Sequence, residues 1–74
     1  MKIEIRQRGE EYEIRCGDKY LPVAAVYPHT VSIFLSRFLF FDRKRARKYG
    51  LIVWKMWKAK SFELPFEVEI NVDE

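Results

Sequence analysis

Residues 31–60 read VSIFLSRFLFFDRKRARKYGLIVWKMWKAK, and the fold turns on how this stretch divides. It opens almost wholly apolar, passes through a basic block and closes with two tryptophans among lysines. Thr30 is the expected N-cap of a helix starting at Val31, because its hydroxyl can accept an orphan amide. Val31, Phe34, Leu35, Phe38 and Phe41 share one face at helical spacing. Ile33, Leu39 and Phe40 lie largely off that face. A helix so apolar around its circumference needs cover on more than one side.

After Phe41 two readings compete. In one, Asp42 caps a second helix running to about Lys60. Tyr49, Ile52, Val53, Met56 and Trp57 then form its apolar stripe. In the other, the first helix runs on to Tyr49, Gly50 ends it as a left-handed C′ residue, and residues 51–57 become a strand. That alternative sets the basic block at a helix C-terminus, where the macrodipole favours it. Periodicity inclines the reading to the second helix, and the strand stays open.

Upstream, residues 2–8 and 11–16 form a hairpin around Gly9-Glu10, with glycine first as a type II′ turn prefers. A two-residue loop opposes Glu4 to Arg15, Arg6 to Glu13 and Arg8 to Glu11 on one face. It sets Ile3, Ile5, Tyr12, Ile14 and Cys16 on the other. A slip of one residue would turn the charges inward, so the register is well specified. A second turn at Gly17-Asp18 carries the pairing on, with Ile14 opposite Leu21, Tyr12 opposite Val23 and Glu13 opposite Pro22. The third strand, residues 19–26, belongs at an edge because Pro22 has no N–H to give a further neighbour. Pro28 breaks it.

Downstream, residues 62–72 alternate strictly. Phe62, Leu64, Phe66, Val68, Ile70 and Val72 point one way, and Pro65 implies an edge or a late start. With the third strand also an edge, this last one falls beside the first. Lys2, Arg6 and Arg8 are then in reach of Glu67 and Glu69. The fold class is α+β: an antiparallel meander of three strands, one or two helices, and a C-terminal strand, in the order 4-1-2-3. The helices cover one face of the sheet, in a single compact domain over residues 1–74.

Composition agrees with that size. Of 74 residues, 49% are hydrophobic and 16% aromatic, enough to build a small core. One cysteine excludes an intrachain disulfide and suits a reducing cytoplasm. No secretory leader is read, and the longest apolar run is too short to span a bilayer. Abundant Lys, Arg and Glu beside only Gln7 and Asn71 resemble thermophile composition.

The net charge of +3 is unevenly placed. Residues 43–60 hold eight cations, Arg43, Lys44, Arg45, Arg47, Lys48, Lys55, Lys58 and Lys60, and no acid. Residues 61–74 hold five acids, Glu63, Glu67, Glu69, Asp73 and Glu74, and no base. Such segregation marks a surface for an anionic partner. On a helix, Arg43, Arg47 and Lys58 share one side, flanked by Lys44, Lys48 and Lys55. Trp54, off the stripe, is available to stack on a base.

Catalytic signatures are missing. Cys16 falls inside the hairpin's apolar face, and His29 reads as a helix-entry residue. The strand carboxylates have opposed arginines, and no phosphate loop or nucleophile elbow occurs. No enzyme activity, cofactor or metal is expected. The leading expectation is a small basic domain binding DNA or RNA by non-specific phosphate contact. Its site is Arg43, Lys44, Arg45, Arg47, Lys48, Trp54, Lys55 and Lys58. The alternative is a homodimer or other protein-interaction role with Ile33, Leu39 and Phe40 at the interface. Attachment to an anionic membrane surface is a third reading, opposed by how evenly the apolar residues ring the first helix.

Overall fold

The structure, a computed structural model, describes residues 1–72. Six elements follow in order: β1 (Lys2–Arg8), β2 (Glu11–Cys16), β3 (Lys19–Val23), α1 (Pro28–Phe38), α2 (Arg43–Ala59) and β4 (Phe66–Glu69). The strands form one antiparallel sheet ordered β3-β2-β1-β4, with both helices against its apolar face.

The meander has the register that its charge pattern requires. Glu4 stands opposite Arg15, Arg6 opposite Glu13 and Arg8 opposite Glu11. Gly9 takes φ +62° while Glu10 does not enter the left-handed region, as a type II′ turn demands. Gly17 takes φ +65° at the second turn, and Glu13 meets Pro22.

The ion pairs, however, run along strands and not straight across them. Arg6 bonds Glu4 at 2.9 Å and Arg15 bonds Glu13 at 3.1 Å, two residues away in each case. Arg8 reaches diagonally to Glu13 at 3.5 Å, and Lys2 meets Glu67 at 3.3 Å. The Tyr20 ring lies under the guanidinium groups of Arg15 and Arg8 at 5.2 and 5.4 Å. Arg15 thus has both Tyr20 and Glu13 as partners, and Glu4 is met by Arg6. The arginine stems in turn shield Glu4 and Glu13, which are both buried on the outward face.

Burial pushes the Glu4 carboxyl up, but the Arg6 guanidinium, a hydrogen bond with Glu67 and the Lys2 charge outweigh it. Its pKa therefore lies below the ordinary glutamate value. A depressed folded pKa contributes stability above the unfolded value, about 4.3, and that contribution disappears as pH falls through the folded value. Urea midpoints should drop on acidification through this window, and Glu4→Gln should flatten part of the drop. Identical slopes for both proteins would refute the assignment.

Two strands are shorter than their alternation suggests. β3 stops at Val23, because the chain bends at Ala24-Ala25 and delivers Val26 into the core. The Val26 carbonyl then accepts the Trp54 indole N–H at 3.2 Å. β4 begins at Phe66, not at residue 62. Ser61 and Phe62 both adopt left-handed backbone, with φ of 58° and 57°, and this breaks the extended pattern ahead of Pro65. Phe66, Val68 and Ile70 are buried as the pattern requires, whereas Phe62 is largely exposed.

The first helix starts earlier than residue 31. Pro28 occupies its first position, where a missing N–H costs nothing. Thr30 sits three residues after the cap, and its hydroxyl accepts the Tyr27 N–H at 3.3 Å. Pro28 therefore opens a helix as well as ending the strand region.

Between the helices the second-helix reading holds. Asp42 caps α2, accepting the Arg45 N–H at 2.7 Å. Gly50 does not end a helix; it lies inside α2 against α1. The buried stripe is Ala46, Tyr49, Gly50, Val53 and Trp57. Ile52 and Met56, expected in it, are 37% and 42% exposed. The small residues Ala46 and Gly50 turn the helix by letting α1 approach closely, and the stripe rotates toward them. Tyr12 of the sheet meets Trp57 edge-on at 6.4 Å, which joins α2 to the core.

Candidate nucleic-acid interface

α2 places its cations away from the core. Arg43, Lys44, Arg47, Lys48, Lys55 and Lys58 are exposed, and Arg45 is half-buried. At 100° per residue, Lys44, Arg47, Lys48, Lys55 and Lys58 fall within one broad outer stripe around Leu51. Residues 44 to 58 span roughly 21 Å at 1.5 Å per residue. Arg45 ion-pairs with Asp42 at 3.6 Å and stacks over Phe41 at 4.9 Å. Among the described residues the other cations of α2 have no ion pair.

Among the described C-terminal acids, no ion pair to an α2 cation forms. Glu67 pairs with Lys2, and Glu69 with the Met1 amino group at 2.7 Å, both on the outer side of the sheet. Asp73 and Glu74 lie outside the described residues. The sheet arginines, by contrast, have carboxylate partners. The two faces of the molecule thus differ in kind: the sheet neutralises itself, while α2 presents unbalanced positive charge.

The helix terminus sharpens this contrast. No acidic residue occupies the first turn of α2; Arg43, Lys44 and Arg45 fill it. Positive charge at a helix N-terminus opposes the macrodipole, at a cost of about 0.3–1 kcal/mol per charge. The Asp42 carboxylate at the N-cap offsets part of this and pairs with Arg45, which leaves Arg43 and Lys44 opposed to the dipole.

Trp54 is less free than its place off the stripe implies. It is half-buried, packs near Phe62 at 6.1 Å and donates its N–H to Val26. Lys58 covers its ring at 5.4 Å. Of the three residues expected at a protein interface, Ile33 is 42% and Phe40 81% exposed, whereas Leu39 packs against the core. Phe40 occupies the turn between the helices with φ 58°.

Sequence reasoning passed over a second group beside the cationic stripe. An open groove of about 640 Å³ runs between α1 and α2. Arg37, Arg43 and Arg47 line it together with Ser36, Ile33, Leu51 and His29, and no acidic side chain does. Arg37 carried a faint signal as the lone charge inside the apolar run.

Cys16 and His29 are not brought into a catalytic pair. Cys16 ends β2, where burial pushes its thiol up and keeps it protonated at neutral pH. His29 is exposed at the start of α1, stacked on Tyr27. Among the described residues no group of three or more His, Cys, Asp or Glu is placed to hold a metal ion, and no helix is long and apolar enough to cross a membrane.

No protein-family model, curated protein or solved structure matches the chain.

Proposed function

We propose that the protein binds nucleic acid through the exposed face of α2, chiefly by contact with phosphates. The observation that carries this reading is the row Lys44, Arg47, Lys48, Lys55 and Lys58, exposed on one side of a helix and without carboxylate partners among the described residues. Lysine and arginine so arranged release condensed counterions when they meet a phosphate chain. The first turn of α2 supports the same reading, since its charges are held against the helix dipole. The pairing of the sheet arginines with glutamates directs the interaction to α2 and away from the opposite face.

The test is a binding titration with DNA and RNA across a salt series. Each phosphate contact contributes a slope of about 0.7–0.9 in log K against log salt. Four to six contacts by α2 cations therefore predict a slope of roughly −3 to −5. Absence of binding at about 50 mM salt would overturn the reading.

A further inference from the structure

The α1–α2 groove has two ends of different chemistry. At the end near the interhelical turn stand Arg37 of α1 and Arg43 and Arg47 of α2. Its middle is walled by Ile33 and Leu51, both of which keep exposed apolar surface. At the other end His29 lies flat against Tyr27, with ring centroids 5.7 Å apart and planes within 6°. His29 is exposed and lines the groove, and Tyr27, itself 54% exposed, backs its ring from outside the groove lining. From Arg37 to His29 the helix advances about 12 Å.

A duplex backbone has no use for apolar walls or an aromatic platform, because its bases are stacked and paired inside. A single strand has both needs at once: phosphates for the arginines, and unstacked bases for the walls and rings. We infer that this groove binds an unpaired nucleotide of a single-stranded nucleic acid, with the phosphate at Arg37, Arg43 and Arg47 and the base along Ile33 and Leu51 toward His29, whose ring Tyr27 holds in place. The inference rests on the α2 reading above and adds strand selectivity to it. Arg47 serves both surfaces, while Arg37, Arg43 and His29 line the groove outside the cationic row, and Tyr27 stands behind His29.

Two variants separate the groove from the cationic stripe. Tyr27→Ser removes the ring that holds His29 flat at the groove's end, changes no charge and leaves a residue favoured at a helix N-cap. Arg37→Gln removes an exposed guanidinium that forms no ion pair among the described residues. Anisotropy titrations would use a labelled single strand and a hairpin duplex of equal phosphate number, with folding of each variant checked by circular dichroism. The wild type should prefer the single strand. Each variant should weaken single-strand binding about five- to tenfold and duplex binding by no more than about twofold. For Tyr27→Ser the salt slope should not change, because no phosphate contact is lost. Equal affinity for the two substrates, a preference for duplex, or a single-strand preference untouched by Tyr27→Ser would each overturn the groove assignment and leave the α2 reading standing. Failure to bind either substrate at about 50 mM salt would overturn both.

Discussion

Gly50→Val is expected to destabilise the protein by about 3 kcal/mol or more, drawing on the upper range for overpacked contacts. Gly50→Ala should cost about 1–2 kcal/mol, even though alanine is the better helix former by about 1 kcal/mol. The reason lies in what a Cβ would meet. An added methyl at Gly50 would overlap the Ser32 hydroxyl and come within 2.9 Å of the Ser32 backbone nitrogen and 3.0 Å of the Pro28 carbonyl oxygen. The hydroxyl can rotate away from its bond to the Pro28 carbonyl. The two backbone atoms cannot move without displacing α1.

Separating the helices would loosen Val31, Phe34 and Leu35 from Ala46 and Val53, all of which are buried. A domain of this size has a total stability of roughly 4–11 kcal/mol, so the valine variant should be close to unfolding at ambient temperature. Thermal melts read the effect directly, at about 4–8 °C per kcal/mol for small domains. A Gly50→Ala protein as stable as the wild type would show that the crossing has slack, and would withdraw the close-approach argument.

The second large effect is on binding. Lys44→Glu, Arg47→Glu and Lys48→Glu together should lower nucleic-acid affinity by at least about a hundredfold at low salt, since three phosphate contacts become repulsions. The same protein should melt no lower than the wild type. Lys44 lies in the first turn of α2, where a carboxylate interacts favourably with the helix dipole, by about 0.3–1 kcal/mol. Loss of binding with unchanged or raised stability is the signature of charges kept for a partner. Unaltered binding would remove α2 from the interface. A substantial fall in melting temperature would mean that these cations stabilise the fold, against the argument from the dipole.

Much of the fold was legible because local rules agreed with one another. In the hairpin, turn glycine, charge opposition and apolar alternation all specify one register, so Glu4, Arg15 and their neighbours pair as read. Position β4 beside β1 followed from the two proline-marked edges, and Ile3 does meet Val68. Element ends were harder. Left-handed Ser61 and Phe62, and the bend that sends Val26 to Trp54, depend on contacts between residues far apart in sequence.

The candidate site divides in the same way. The cationic run is visible as a run of letters. Its exposure is not, because a 3.6-residue period admits several stripes and only packing against α1 selected Ala46 and Gly50 over Ile52 and Met56. Trp54 lies off the apolar stripe, yet its indole donates to the Val26 carbonyl, a partner remote in sequence that no spacing announces. The groove could not be read at all, since Arg37 and Arg47 meet only when two helices fold back on each other.

The amino-acid sequence by itself determined the strand register and the excess of positive charge over residues 43–60, and it left the helix capped by Asp42 as one of two readings. Each of these follows from interactions between near neighbours or from alternation along a strand. Only the tertiary structure decided which way the charge faces and what stands beside it. A glycine small enough to bring two helices into contact sets the rotation of α2, and that rotation turns a run of basic residues into a surface with a groove at its flank.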